Sequence, residues 1–244
     1  MPRSAMVQCE ISAVIEGAEL RVNVVVALII SAAVLVSDQT MTPLSAEDVQ
    51  TIREELIERG KRDQRYRTAD YPSMSAAERK RMMQEGSESD RANTAWVKAL
   101  VKRIGWPGST RFGADAAHAA FLILQHSDHD PEFQAATLPL ITAAAEQGEA
   151  SKPQVAFLTD RVRVKLGQPQ LYGTQYGVEK GPDGSATVGL DGRVTYTLPI
   201  VEDVDRLDER RKAMGLGPWR EYEARMAKMH GRTPALEPAR ATSR

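Results

Sequence analysis

Ten consecutive residues, Gln125-His126-Ser127-Asp128-His129-Asp130-Pro131-Glu132-Phe133-Gln134, hold two of the four histidines of this chain with three acids and two amides. Imidazole titrates near neutral pH, so a histidine polarised by a carboxylate is suited to general-base work. His126 is the expected base, with Asp128 or Asp160 orienting it, in a hydrolase or a transferase. Neutral imidazole and carboxylate also suit zinc, iron or manganese, which makes a divalent metal at His126, Asp128 and His129 the lesser alternative. The motif has no third spaced ligand, so a metal is not required. A plainer account also covers part of it. Asp130 before Pro131 is a helix start, and a histidine at a helix C-terminus is favoured by the dipole.

Two further polar groups accompany this run. Thr159-Asp160-Arg161-Val162 places an acid and a base side by side on a helix of apolar rhythm. Neighbours on a helix do not face each other, so each must find its partner elsewhere. Arg161 has the forked donors to clamp an anion or to bridge within the protein. Downstream, Gln168-Pro169-Gln170-Leu171-Tyr172-Gly173-Thr174-Gln175 offers donors and acceptors but no base for neutral pH. Gln125, Gln134, Arg161, Tyr172, Thr174 and Gln175 are therefore the expected ligand-binding residues. Asp63, Arg65, Asp90 and Asn93 could complete the cleft from the N-terminal helices. The alternative function is a non-catalytic module that binds a ligand or a protein, in which the same polar residues are structural.

Several chemistries lack support. There is no phosphate-cradling Gly-rich loop, no Gly-x-Ser-x-Gly elbow and no His-Glu-x-x-His. A formal net charge of -1 argues against a nucleic-acid binder, which needs a basic footprint. The single cysteine, Cys9, lies at the N-terminus, so disulfides and thiol chemistry play no part in the remainder of the chain.

The elements that must position these residues are mostly helical. Ser45 with Asp48 opens a helix whose apolar residues Val49, Ile52, Leu56 and Ile57 run to Gly60, with the polar stretch 61–67 extending it or following it. A second helix is expected from Ser75 to Ile104 with a break at Gly86, and Gly105-Trp106-Pro107-Gly108 stops it. The Ala- and Leu-rich stretch 114–126 reads as a buried helix. There His118, Gln125 and a continued His129 would share one direction within about 20°, with His126 about 80° away. Helices follow from Pro131 to Gly148 and from Lys152 to Leu166. Strand-like alternation from Leu171 to Val178, with the turn signals Asp183-Gly184 and Asp191-Gly192, predicts a small antiparallel meander or hairpin near residues 171–200. Helix returns over 203–214 and again after Pro218. The expectation is a mostly α (α+β) protein: one multi-helix domain over 45–230 and a disordered tail over 231–244.

The segment from Val22 to Val36 contains no charge, and Arg21 precedes it. Its length suits a signal-peptide core better than a membrane span, which needs roughly 20 apolar residues. Ser31-Ala32-Ala33 offers a cleavage pattern, with Ser37 a second. Glu10, Glu16 and Glu19 fit a leader poorly, and one reading is that translation begins near Val22 or Val24. Residues 1–37 are read as an extension plus signal peptide, giving a periplasmic or secreted protein. If the run is instead a buried strand the protein is cytoplasmic, and membrane contact arises only through an uncleaved segment.

Gly105-Trp106-Pro107, Gln125-His126-Ser127-Asp128, Asp130-Pro131-Glu132-Phe133-Gln134, Asp160-Arg161-Val162 and Gln170-Leu171-Tyr172-Gly173-Thr174-Gln175 occur in that order. Pro199-Ile200, Arg210-Arg211 and Gly215-Leu216 follow. In this succession the chain resembles the bacterial domain-of-unknown-function family 6624 over roughly residues 60–225, with 180–193 resembling an insertion in that family's hairpin. The resemblance implies domain limits and no activity.

Overall fold

The computed structural model of this chain describes residues 43–182, 195–230, 235 and 238–241. The apolar run 22–36, Cys9 and both Asp-Gly turn signals lie outside the described residues.

Helix α1 spans Ala46–Arg67 and starts from a reciprocal cap between Ser45 and Asp48. The polar stretch 61–67 continues it without interruption. Its buried stripe runs Ile52, Leu56, Gly60, Asp63, so an apolar face ends on a carboxylate. Helix α2, Ala76–Ile104, opens on the same kind of cap from Ser75 and Glu78 and stops at Gly105, whose φ is 75°. The expected break at Gly86 does not occur. Gly86 is buried inside the helix, where an added Cβ would lie 3.3 Å from the Tyr66 side chain. That glycine lets α1 lie close rather than ending α2.

A short helix α3, Ser109–Phe112, precedes α4, Ala114–Gln125. Helix α4 is the centre of the core: Ala116, Ala120, Phe121, Ile123 and Leu124 pack with Leu56, Val97, Leu100, Ile141 and Leu158. The remaining packing comes from α5, Pro131–Glu146, and α6, Lys152–Lys165, which begins on a Ser151–Gln154 cap. Asp130 caps α5 by accepting from Phe133 N at 3.0 Å. The alanines of α4 admit its neighbours closely. At Gly60 of α1 an added Cβ would lie only 2.7 Å from the Ala119 Cβ.

The β structure is smaller than a meander. Strand β1, Gly177–Val178, pairs antiparallel with β2, Tyr196–Thr197. Strand β3, Ile200–Val201, pairs in parallel with β4, Ala239–Arg240, and Gln170 makes an isolated parallel bridge to Val201. Residues 171–176 are not strand, despite their alternation. Gly173 adopts φ +63°, which breaks an extended run, and the N–H groups around it turn to a side chain instead of a ladder. Near the C-terminus, Ala239–Arg240 is tied in by its parallel pairing with β3 and by an Arg240–Asp205 ion pair at 2.9 Å. Helix α7, Leu207–Ala213, follows a 3₁₀ turn at Val204–Arg206, and α8 covers Trp219–His230. Contacts gather the residues from Pro43 onward into one compact unit. The architecture is thus mostly α with a small antiparallel hairpin. No helix among the described residues is long and apolar enough to cross a membrane.

The contact between Gly60 and Ala119 leaves no room for a methyl group, and both atoms are fixed to backbone. Gly60→Ala is expected to force α1 and α4 apart and to lower stability by about 1–3 kcal/mol, the usual penalty for overpacking. Urea denaturation of the variant against the parent measures it.

Candidate functional site

Helix α4 ends at Gln125, and His126 is its C-cap, with its N–H bonded to Leu122 O at 3.0 Å. Three contacts fix the turn that follows. Ser127, fully buried, bonds Ile123 O at 2.8 Å and meets the Thr94 hydroxyl of α2 at 2.8 Å. Gln134 of α5, also fully buried, donates from Nε2 to the carbonyls of Leu124 and Gln125 at 3.1 and 3.0 Å. Those carbonyls are among the last of α4, which have no partner within the helix. The third is Arg161 of α6, whose Nη1 donates to both oxygens of Asp128 at 2.8 Å.

This turn presents the His126 ring to Asp63. Nδ1 lies 2.9 and 3.0 Å from the two carboxylate oxygens, and Asp63 is only 1% exposed. An ionised carboxylate can only accept, so in the neutral ring the proton sits on Nδ1 and Nε2 keeps its lone pair. Gln125 Nε2 is 3.3 Å from that second nitrogen. The Asp63 carboxyl also accepts from Gln64 Nε2 at 2.8 Å and pairs with Arg67 Nη1 at 3.0 Å. Burial pushes its pKa up, but the hydrogen bond and charge of His126, the Arg67 charge and the Gln64 amide outweigh this. The carboxyl is held below its ordinary range.

Beside the pair is a cleft of about 400 Å³ lined by Tyr66, Arg67, Tyr71, Asp90, His126 and Asp128 among others. Arg67 reaches across it from α1 to both oxygens of Asp90 on α2, each at 3.0 Å. His129 borders the same cleft and is exposed. It does not continue α4, which has already ended. His118 faces elsewhere, its Nδ1 3.2 Å from Gln154 of α6.

The other expected residues form a separate centre. Asp160 is fully buried on α6 and accepts four hydrogen bonds: from the N–H groups of Leu171, Tyr172 and Thr174 at 2.7, 3.1 and 2.9 Å, and from the Thr174 hydroxyl at 2.9 Å. Burial pushes its carboxyl above the ordinary value against the pull of those donors. Asp160 therefore serves the 171–174 loop and makes no hydrogen bond to His126. Gln170 spans the loop by bonding the backbone of Gln175 through both ends of its amide, at 2.7 and 2.9 Å. Gln175 itself donates to the Thr174 hydroxyl at 3.0 Å. Gly173 is required here, since an added Cβ would lie 3.0 Å from the Trp219 ring. The carbonyls turn toward α7 and α8: Arg211 donates to Tyr172 O at 2.6 Å, and the Tyr222 hydroxyl donates to Thr174 O at 2.9 Å. Arg210 and Arg211, in the last turn of α7, reach back to the carbonyls of Leu171 and Tyr172.

The structure thus brings together Gln125, His126, Asp128, Gln134 and Arg161, and gathers Tyr172, Thr174 and Gln175 around Asp160. Within the first group the acid that meets His126 is Asp63. Asp128 is taken by Arg161, and His126 Nδ1 by Asp63, so His126, Asp128 and His129 do not turn free donors toward one metal. Among the described residues no three His, Cys, Asp or Glu side chains gather as a metal ion would need. Asp63 and Asp90 were expected to complete a cleft from the N-terminal helices, whereas Arg67 was not among the expected residues. The available signal was the buried stripe Leu56, Gly60, Asp63 with Arg67 four residues on, an acid and a base on one helix face.

Residues 47–232 match the model of a family of unknown function, DUF6624, and the chain belongs to that family. No curated protein and no solved structure matches the chain.

The depressed Asp63 carboxyl makes a specific prediction for acid. A group whose folded pKa lies below its unfolded one adds stability that is complete above the unfolded value and is lost as pH falls through the folded one. The contribution of Asp63 is therefore expected to be present from about pH 4 upward and to disappear below it. Asp63→Asn should flatten that acid limb in denaturation measured from neutral pH downward. An acid limb identical to that of the parent would contradict the assignment.

Proposed function

We propose that the protein is a hydrolase or a transferase in which His126 acts as a general base. The observation that carries this is the buried Asp63 carboxylate 2.9 and 3.0 Å from His126 Nδ1, beside a cleft of about 400 Å³. Asp63 orients the imidazole and fixes its proton on Nδ1. The Nε2 lone pair is then the basic site, able to take a proton from a water or a substrate hydroxyl that displaces the Gln125 amide from it. As that proton transfers, the ring becomes a cation beside an ionised acid, and the ion pair offsets the cost of the new charge. The water or hydroxyl attacks as its proton leaves, and the imidazolium can return the proton to the departing group. Asp128 and Arg161 hold the turn that carries His126, and Gln134 holds the helix end before it. These roles are positioning ones.

Removing a positioned base ordinarily costs about 10²–10⁴-fold in rate. Purified protein screened against chromogenic carboxylic, phosphoric and glycosidic esters should turn over at least one class. His126→Gln should abolish that turnover while leaving the thermal transition close to the parent's. Turnover that survives His126→Gln, or no turnover of any class, counts against the reading.

We also propose that the mature protein is exported, with the uncharged run 22–36 behind Arg21 acting as the signal core. N-terminal sequencing of protein recovered from its native host is expected to begin just after Ala33 or Ser37. A mature chain that retains residues 22–36 in the cytoplasm would contradict export.

A further inference from the structure

The Arg67 guanidinium is shared between two carboxylates, and its donors can be counted. Nη1 bonds the Asp63 carbonyl at 3.0 Å and pairs with Asp63 Oδ1 at 3.0 Å. Nη2 meets both oxygens of Asp90 at 3.0 Å. Both terminal nitrogens are thereby committed, Nη1 to Asp63 and Nη2 to Asp90. An arginine beside a lone carboxylate prefers the bidentate fork, with two parallel bonds to the two oxygens. At this site Asp90 holds one arm of the fork, so Arg67 gives the Asp63 carboxyl a single arm and leaves its oxygens open to His126 Nδ1.

We infer that Asp90 is a positioning residue for the acid–base pair: by holding Arg67 it prevents bidentate capture of Asp63 and so keeps the His126 proton on Nδ1. This rests on the reading of Asp63 and His126 as an acid–base pair, and it assigns the two cleft residues that reading leaves idle. The charged groups around the ring are few. Asp63 and Arg67 come from α1 and Asp90 from α2. Asp128, neutralised by Arg161 of α6, and His129 come from the turn itself. Of these, only Arg67 competes with His126 for the same carboxylate. Asp90 has little structural burden besides, since its carbonyl, which accepts from the Thr94 hydroxyl at 2.8 Å, survives any substitution.

The test needs no substrate. In protein carrying ¹⁵N-labelled histidine, the Nδ1 and Nε2 shifts of His126 report which nitrogen of the neutral ring is protonated. The parent is expected to be mainly protonated on Nδ1. In Asp90→Ala, Arg67 turns fully onto Asp63 and the majority tautomer reverses to the Nε2-protonated form. Arg67→Met alone keeps the parent pattern, and Arg67→Met combined with Asp90→Ala restores it. That rescue distinguishes competition for Asp63 from general loosening of the cleft, which a second substitution would worsen. Asp90→Ala shifts like the parent's, or a double variant that stays reversed, would overturn the inference. A parent already protonated on Nε2 would overturn the general-base reading beneath it, so the two failures are told apart.

Discussion

The approach of α1 to α4 at Gly60 and Ala119 is the constraint on which the rest of the site depends. Without a side chain at Gly60, the two backbones come near enough that an added Cβ would be 2.7 Å from its neighbour. Asp63 lies one turn further along α1 on the same buried stripe. His126 lies two turns beyond Ala119, where α4 has just ended. The close crossing therefore delivers a carboxylate to an imidazole that is 63 residues away in the chain. Gly86 does the same for α2 by accepting the Tyr66 side chain, which brings Asp90 within reach of Arg67.

Two buried aspartates divide the work of the fold. Asp160 is surrounded by donors that cannot titrate, three of them backbone N–H groups, and it fixes the path of the 171–174 loop. Loss of such an acceptor would strand buried donors at about 1–3 kcal/mol each, which is a structural role. Asp63 is surrounded by side chains, and two of them carry charge or acquire it. The same residue type at similar burial thus acts as a nail in one place and as an electrostatic partner in the other. The partners decide between these roles, and burial does not.

Much of the helical frame was legible because helix ends are local. Ser45, Ser75 and Ser151 each announce a start through a residue three positions on, and Gly105 announces a stop. His126 at the end of a buried helix could also be read from the chain. Its partner could not. Asp128 and Asp160 were the nearer acids, and nothing in the spacing tells that Arg161 would take one and the 171–174 backbone the other. Arg67 was hidden in a run of charges that resembles a solvated helix face. The alternation from Leu171 to Val178 predicted strand because side-chain polarity alternates there, but the backbone donors had a stronger claim in Asp160.

The turn holding His126 has a consequence for how the chain fluctuates. Its ties lead to three different elements: through Ser127 to α2, through the Leu124 and Gln125 carbonyls to Gln134 of α5, and through Asp128 to α6. A loop fastened at a single point can open by itself, but this one must break contacts with several helices to move at all. Opening of the imidazole's surroundings then couples to three helices at once, unlike the easy fraying usual for a chain segment between two helices.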